Sequence, residues 1–584
     1  MAQMIRKDHA GLTTGSCVGG TLAPIMKSPV TTRLRGLGAL CCFLGAANLV
    51  SAQQPPATTP TAPAAPTAAP AADEPRFDVW EYDVEGNTVL PVPAIEKAVQ
   101  PYLGPGKQLA DVEGARAALE KVYQDAGYLS VFVDLPEQQI TEGLVHLRVL
   151  EGKVERLAVV GARYYSQGYI RDHVPELQDG KVPNFNAVQA QLATVNRTED
   201  RRVQPVLRPG RTPGTVEAEL QVSDRLPVGG RVELYNSHAE YTKPWRLQAT
   251  AHYDNLFQLE HVLSLTAIVA PQDVNQSKVF TASYTMPQAD GDAWLVYGLT
   301  SNSSVEPLGN TNVIGKGTTL GVRHIWNLPA LTEYTHSFSF GLDYKDQKED
   351  TLAGADRLAT PMRYAPFNLA YNGGWQHADQ SQTTLSATAV VGIRPWMKRS
   401  VDCAGYGQLD QFDCKRDSAD GGFSTLRLDV RHTEPVFGRW AVQGRLAGQV
   451  ATGPLISAEQ YSIGGADTVR GYLDGESIGD HGALASIELR SPNWAAPDAG
   501  AADDWRKSID NLTGYAFFDA GHTVTINPAA GQAERSNLAG TGFGLKARAL
   551  KRAEADLAVA WPLKSTQATT SGQPHVHVRM AVDF

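Results

Sequence analysis

The chain has 584 residues, a formal charge of −10 from 62 acidic against 52 basic side chains, and 42% hydrophobic content. That acidic balance argues against nucleic acid as a partner. No run of about 18 apolar residues occurs beyond the N-terminal region, so no membrane-crossing helix is expected. A membrane β-barrel escapes that test, because its strands alternate lipid-facing and lumen-facing residues.

In chain order, the first element is an export signal within residues 1–52. From Met26 the sequence runs Lys27, Arg33 and Arg35, an apolar stretch from Gly36 to Val50, and the small-residue cleavage site Val50-Ser51-Ala52. Residues 1–25 have no such pattern, which makes Met26 the expected start. Residues 53–75 form a Pro/Ala/Thr linker, too rich in proline for a helix.

Residues 76–152 read as a small α+β unit. In DVEGARAALEKVYQDAGY, Val112, Ala115, Leu119, Val122 and Ala126 recur at helical spacing, and Gly127 marks the helix end. LSVFVDLP and GLVHLRVLEG follow as strands. A second unit of similar order occupies 153–224, with the helix NAVQAQLATVN and the strands RRVQPVLR and TVEAELQVSD.

From 225 onward the period changes to two. In SFSFGLDYK, Phe338, Phe340, Leu342 and Tyr344 oppose Ser339, Asp343 and Lys345; in TLRLDVR, Leu426, Leu428 and Val430 oppose Arg427, Asp429 and Arg431. About 16 such strands are expected between 225 and 584. A soluble sandwich or propeller is the alternative. Three charged residues in line suit a wet interior better than the back of a dry core, and an even count permits a closed antiparallel barrel. The chain ends in HVHVRMAVDF, with Val576, Val578, Met580, Val582 and Phe584 on one face. That alternating end resembles the C-terminal assembly strand of bacterial outer-membrane barrels.

Two cysteines, Cys403 and Cys414, remain after the signal and sit in one polar loop. In an exported chain they point to a loop-closing disulfide. A metal pair is the lesser alternative, with no histidine nearby to complete it. No catalytic constellation stands out, so neither an enzyme nor a cofactor or metal is expected. The glycines of GTGFG, 540–544, suit close packing on a strand rather than a phosphate cradle, since no Lys-Ser/Thr follows.

The remaining motif is GGADTVRGY, Gly464 to Tyr472, in a connection of about 30 residues at 453–480. A loop of that length is commonly functional. Downstream lies YAFFDAG, which places Asp519 in an otherwise apolar strand. VRGY in a sixth outward loop, followed by F-x-D-x-G and a glycine-rich strand, resembles the POTRA-barrel transporters of two-partner secretion, which export haemolysins and filamentous adhesins. The two small units resemble that family's paired POTRA domains. The resemblance covers residues 76–584 and implies two periplasmic α+β POTRA domains before a 16-stranded transmembrane barrel.

It further implies that loop six folds into the lumen, where Arg470 pairs with Asp519 as a latch. Gly464, Gly465, Val469, Gly471, Tyr472, Phe517 and Gly521 complete the latch motif, and Phe584 is the closure signal. A purely structural role for the pair is the alternative. Cargo capture is expected around residues 119–133 of the first domain, with Leu119, Tyr123, Tyr128, Val131 and Val133 as candidates. The implied partners are a large secreted protein, outer-membrane lipid, and the barrel assembly machinery and periplasmic chaperones during biogenesis. A barrel-insertion factor shares the plan but usually carries more POTRA domains. Family members commonly begin with a plug helix, and here only the Pro/Ala/Thr linker fills that position.

Overall fold

The computed structural model describes residues 75–584 except 289, 309–310, 349, 354–355, 360, 404–405, 496–507 and 530. The export signal, nearly all of the linker and the position of a plug helix lie outside the described residues.

The first small domain is built on a three-stranded sheet of β1 (Glu81–Glu85), β2 (Val131–Asp134) and β3 (Leu144–Glu151). Central β3 runs parallel to β1 and antiparallel to β2, leaving β2 at an edge. Helices α1 (Val92–Val99) and α2 (Leu109–Asp125) cover one face. A reciprocal cap starts α2: Gln108 donates its backbone N–H to Asp111 Oδ2 at 2.9 Å. At its other end Gly127 takes φ +98° and Tyr128 donates to the Tyr123 carbonyl at 2.8 Å. The helical stripe read from the sequence is the core. Leu119, Tyr123, Val131, Val133, Leu147 and Val149 are all buried together.

That packing corrects the capture residues. Leu119 and Tyr123 are 0% exposed, Val131 1% and Val133 4%, and Tyr128 packs partly buried against them. Leu119 and Tyr123 lie on the inward face of α2 and Val131 and Val133 on the inward phase of β2, so with Tyr128 they hold the domain together. Burial also raises the Tyr123 phenol pKa, and its hydroxyl donates to Asn87 Oδ1 at 2.7 Å.

The second domain repeats the plan with β4 (Lys153–Val160), α3 (Gln167–Asp172), α4 (Phe185–Val195), β5 (Arg201–Pro209) and β6 (Thr215–Asp224). Central β6 is parallel to β4 and antiparallel to β5. The domains meet where Phe185 donates to the Gly127 carbonyl at 2.8 Å and Asn184 Nδ2 to that of Ala126 at 2.9 Å.

Among the described residues, sixteen antiparallel strands then close into a barrel. They are β7 (Val228–Tyr235), β8 (Arg246–Leu256), β9 (His261–Val269), β10 (Lys278–Pro287), β11 (Ala293–Leu308) and β12 (Thr311–Asn327). Next come β13 (Tyr334–Gln347), β14 (Met362–Tyr364 continued by Phe367–Gln376), β15 (Gln382–Val391), β16 (Ser424–Pro435) and β17 (Ala441–Ala451). The last five are β18 (His481–Arg490), β19 (Ile509–Val524), β20 (Arg535–Ala549), β21 (Ala553–Pro562) and β22 (His575–Asp583).

The period-two pattern sorts inside from outside. Leu426 and Leu428 are exposed on the outer surface, while Arg427, Asp429 and Arg431 line a lumen cavity of about 1070 Å³. Closure falls between β22 and β7, Arg579 opposite Tyr235 through Asp583 opposite Arg231. Phe584 extends that seam by exchanging backbone hydrogen bonds with Gly230 at 2.9 and 3.0 Å, and its ring occupies the space that a Cβ on Gly230 would need. In hydrocarbon these edge groups have no water to turn to.

The second domain docks on the β8–β9 turn. Gln258 Nε2 donates to the Tyr164 carbonyl at 3.0 Å, and the buried Arg201 reaches Glu260.

Leu119→Ala is expected to destabilise the first domain by about 2–5 kcal/mol, read as a lower urea midpoint of its unfolding. An unshifted midpoint would place that side chain at a surface.

Candidate functional site

Loop six, residues 452–480, joins β17 to β18 and returns into the lumen. A short hairpin pairs Tyr461–Ile463 with Ser477–Gly479, and the tip between them carries the glycine-hinged arginine. Gly464 and Gly465 take φ +110° and +97°. A Cβ on Gly464 would lie 2.4 Å from the Leu473 carbonyl oxygen, so the turn admits no side chain there. Val469 and Tyr472 are buried with Ile463, Leu484 and Leu538, which plants the tip on the wall. Tyr472 donates or accepts through its hydroxyl at the Ala539 and Lys564 backbones, 2.9 Å from each carbonyl.

The glycine-rich strand explains itself at this contact. A Cβ on Gly540 of β20 would stand 2.0 Å from the Arg470 carbonyl oxygen, and one on Gly521 of β19 would stand 2.9 Å from Val469. These glycines let the loop backbone lie directly on the sheet. Gly471, at φ +97°, donates its N–H to His577 Nε2 at 3.0 Å.

Arg470 grips β19 with three donors. Nε reaches Asp519 Oδ2 at 2.7 Å, Nη2 reaches Oδ1 at 2.8 Å, and the backbone N–H reaches Oδ2 at 3.1 Å. Ser486 Oγ donates to Asp519 Oδ1 at 2.6 Å, so the fully buried carboxylate has four donors. The remaining guanidinium nitrogen, Nη1, donates to Glu488 Oε2 of β18 at 2.9 Å. Its flat face lies 3.4 Å from the centre of the Phe517 ring, a cation–π stack.

Glu488 was not singled out from the sequence. Ser486, Glu488 and Arg490 alternate along β18 like any lumen-facing set, and the arginine's position across the pore is not written there. A second carboxylate beside one arginine needs more positive charge. Arg490 Nε at 2.7 Å and Lys546 Nζ at 3.1 Å supply it to Glu488 Oε1. Removing one partner from a buried pair costs about 3–5 kcal/mol, because the survivor stays charged and unpaired. A guanidinium with a bidentate carboxylate is also geometrically specific in a way that an ammonium is not.

Cys403 and Cys414 form a disulfide in loop five, with a Cα separation of 5.7 Å. Arg416, two residues beyond, donates to both oxygens of Asp480 at 2.5 and 2.8 Å and so ties loop five to the root of loop six.

The family model described as haemolysin secretion/activation protein ShlB/FhaC/HecB matches residues 214–547, and the ShlB-type POTRA domain model matches residues 77–152. The chain belongs to that haemolysin secretion/activation family. The outer membrane transporter CdiB of Dickeya dadantii is 22% identical over 480 residues, 79% of this chain and 78% of that one. The heme/hemopexin transporter protein HuxB of Haemophilus influenzae is 19% identical over 393 residues, 67% of each chain. The structure of CdiB from Escherichia coli aligns with a TM-score of 0.56 at 18% identity, covering 89% of this chain and 93% of that one. BamA from Haemophilus ducreyi lacking POTRA domains 1-3 aligns at 0.52 and 13%, covering 87% and 100%. These structural likenesses show the fold. Family membership makes the chain an outer-membrane two-partner secretion transporter, not an enzyme, with its POTRA domains in the periplasm and a secreted partner protein as cargo.

Gly540→Val is expected to force the loop tip off the wall while leaving a heat-modifiable barrel, raising single-channel conductance in planar bilayers. Wild-type conductance would contradict direct backbone packing at Gly540.

Proposed function

We propose that Arg470 is the latch of a gated export pore and that arriving cargo releases it. The observation carrying this reading is the guanidinium held by Asp519 and Glu488 inside the lumen. The loop fills the path an extended chain must take, and the anchor's hydrogen bonds run to polar groups of the lumen wall. Once water enters, both carboxylates and the arginine find replacement partners, so a wet lumen lowers the cost of release that a dry core would impose. The domains, by this reading, are the signal region, the linker, POTRA domains at 76–152 and 153–224, and the barrel from 225.

The cargo is proposed to be a large exported protein of haemolysin or adhesin type, entering unfolded and folding outside, which prevents its return. Capture is assigned to the β2 edge of the first POTRA domain, with side chains other than Leu119, Tyr123, Tyr128, Val131 and Val133. Leu129 (55% exposed), Phe132 (60%) and Leu150 (43%) are presented there, and Phe132 sits directly opposite Leu150 across the β2–β3 pair. Among the described residues the outward backbone of Val133 makes only long side-chain contacts, its carbonyl accepting from Arg116 Nη1 and its N–H donating to Glu120 Oε2, each at 3.4 Å. An extended segment can replace those with ladder hydrogen bonds while its apolar side chains meet Phe132. The assembly machinery and chaperones would deliver the barrel to lipid, with Phe584 as the terminal signal.

A barrel-insertion role is the second reading, favoured by the shared fold with the BamA barrel. A periplasmic pull-down separates them: an exporter retains one large secreted protein, an insertase many nascent barrels. Arg470→Ala is expected to abolish cargo export with the heat-modifiable barrel retained, and undiminished secretion would remove the gating role. Phe132→Asp should reduce cargo capture at least several-fold without lowering the urea midpoint; unchanged capture would move the docking edge elsewhere.

A further inference from the structure

We propose that loop six has a second latch, Glu459, on a different wall of the barrel, and that the pore opens fully only when both latches release. This rests on the reading of loop six as the gate. Glu459 ends a short helical turn, Ser457–Glu459, eleven residues before Arg470. Its side chain is 2% exposed. Lys345 Nζ of β13 donates to its Oε1 at 2.6 Å, and the Tyr364 hydroxyl of β14 donates to the same oxygen at 2.8 Å. Its backbone carbonyl accepts from Arg427 Nη2 of β16 and Gln449 Nε2 of β17, each at 3.1 Å.

The wall strands place the two latches apart. Asp519 is on β19 and Lys345 on β13, six positions away around the sixteen-strand circumference. Their depths differ as well. Lys345 lies near the end of β13 that enters loop four, hence near the outer rim, while Asp519 lies five residues inside the outer end of β19. The loop is therefore a strap, fixed at the rim on one side and deeper in the lumen on the other. Gln449 also donates to the Asp480 carbonyl at 3.0 Å, so the same side chain bridges both legs of the strap. Freeing Arg470 lets the tip swing, but the leg through Glu459 still crosses the rim. A buried carboxylate with an ammonium and a hydroxyl on one oxygen has the same chemical logic as the first latch: specific when dry, exchangeable when wetted.

The test uses the full chain in planar bilayers and, in parallel, cargo export from cells. Lys345→Met combined with Glu459→Gln removes both charges and leaves neither unpaired. With the barrel still heat-modifiable, open events are expected to become roughly tenfold more frequent, the order of change expected when a two-state equilibrium loses one differential contact. Adding Arg470→Ala should produce a conductance level larger than either set gives alone. Tyr364→Phe, which keeps the ion pair, should shift open frequency in the same direction by less. The proposal is overturned if a folded Lys345→Met/Glu459→Gln protein gates like wild type, or if the triple variant matches Arg470→Ala alone. Wild-type export and gating by Arg470→Ala, with altered gating by the Glu459 set, would instead sink the first latch and keep the second.

Discussion

A sheet that must satisfy every backbone group without water has only one solution, which is to close on itself. Sixteen strands do so here, the seam being made by β22 against β7 and completed by Phe584 on Gly230. Closure at that strand number leaves a lumen that side chains alone do not fill, and larger barrels of this kind hold water or a plug. The inward loop follows from that vacancy. Loop six supplies its own small apolar cluster where it meets the wall and charged groups where it crosses the wet interior.

The polar lining then decides how the loop is held. Apolar contacts cannot tell one stretch of polar wall from another, whereas a guanidinium facing two carboxylates fixes both position and angle. The wall strands help by withdrawing their own side chains at Gly521 and Gly540, so the loop backbone approaches without steric cost. Glycine and charge act together: the first permits contact, the second makes it specific. Outside the membrane, Arg201 and the β8–β9 turn keep the second small domain seated on the barrel.

Much of this was legible in the sequence because strands and helices write their periods plainly. Alternation along TLRLDVR separates lipid face from lumen, and Gly127 marks the end of α2. Arg470 and Asp519 were readable only through motif resemblance, since their spacing of 49 residues encodes no contact by itself. Glu488 and Glu459 were hidden, because an acidic residue in an alternating strand or a polar loop looks alike whether it faces water or an arginine. The capture side chains failed for an instructive reason. Leu119 and Tyr123 lie on the inward face of α2 and Val131 and Val133 on the inward phase of β2, whereas the exposed Phe132 sits on the opposite phase of that strand.

Under the proposed gating, loop six occupies the lumen at rest and leaves its wall when cargo passes. Spin labels on cysteines at Ala466 of the loop and Thr388 of the wall, both lining the cavity, would report the distance between them. Cys403 and Cys414 are joined in a disulfide and do not take label. One short distance without cargo, joined by a longer one when a stalled cargo chain occupies the pore, is the expected result. A single unchanged distance with cargo threaded through the barrel would contradict it.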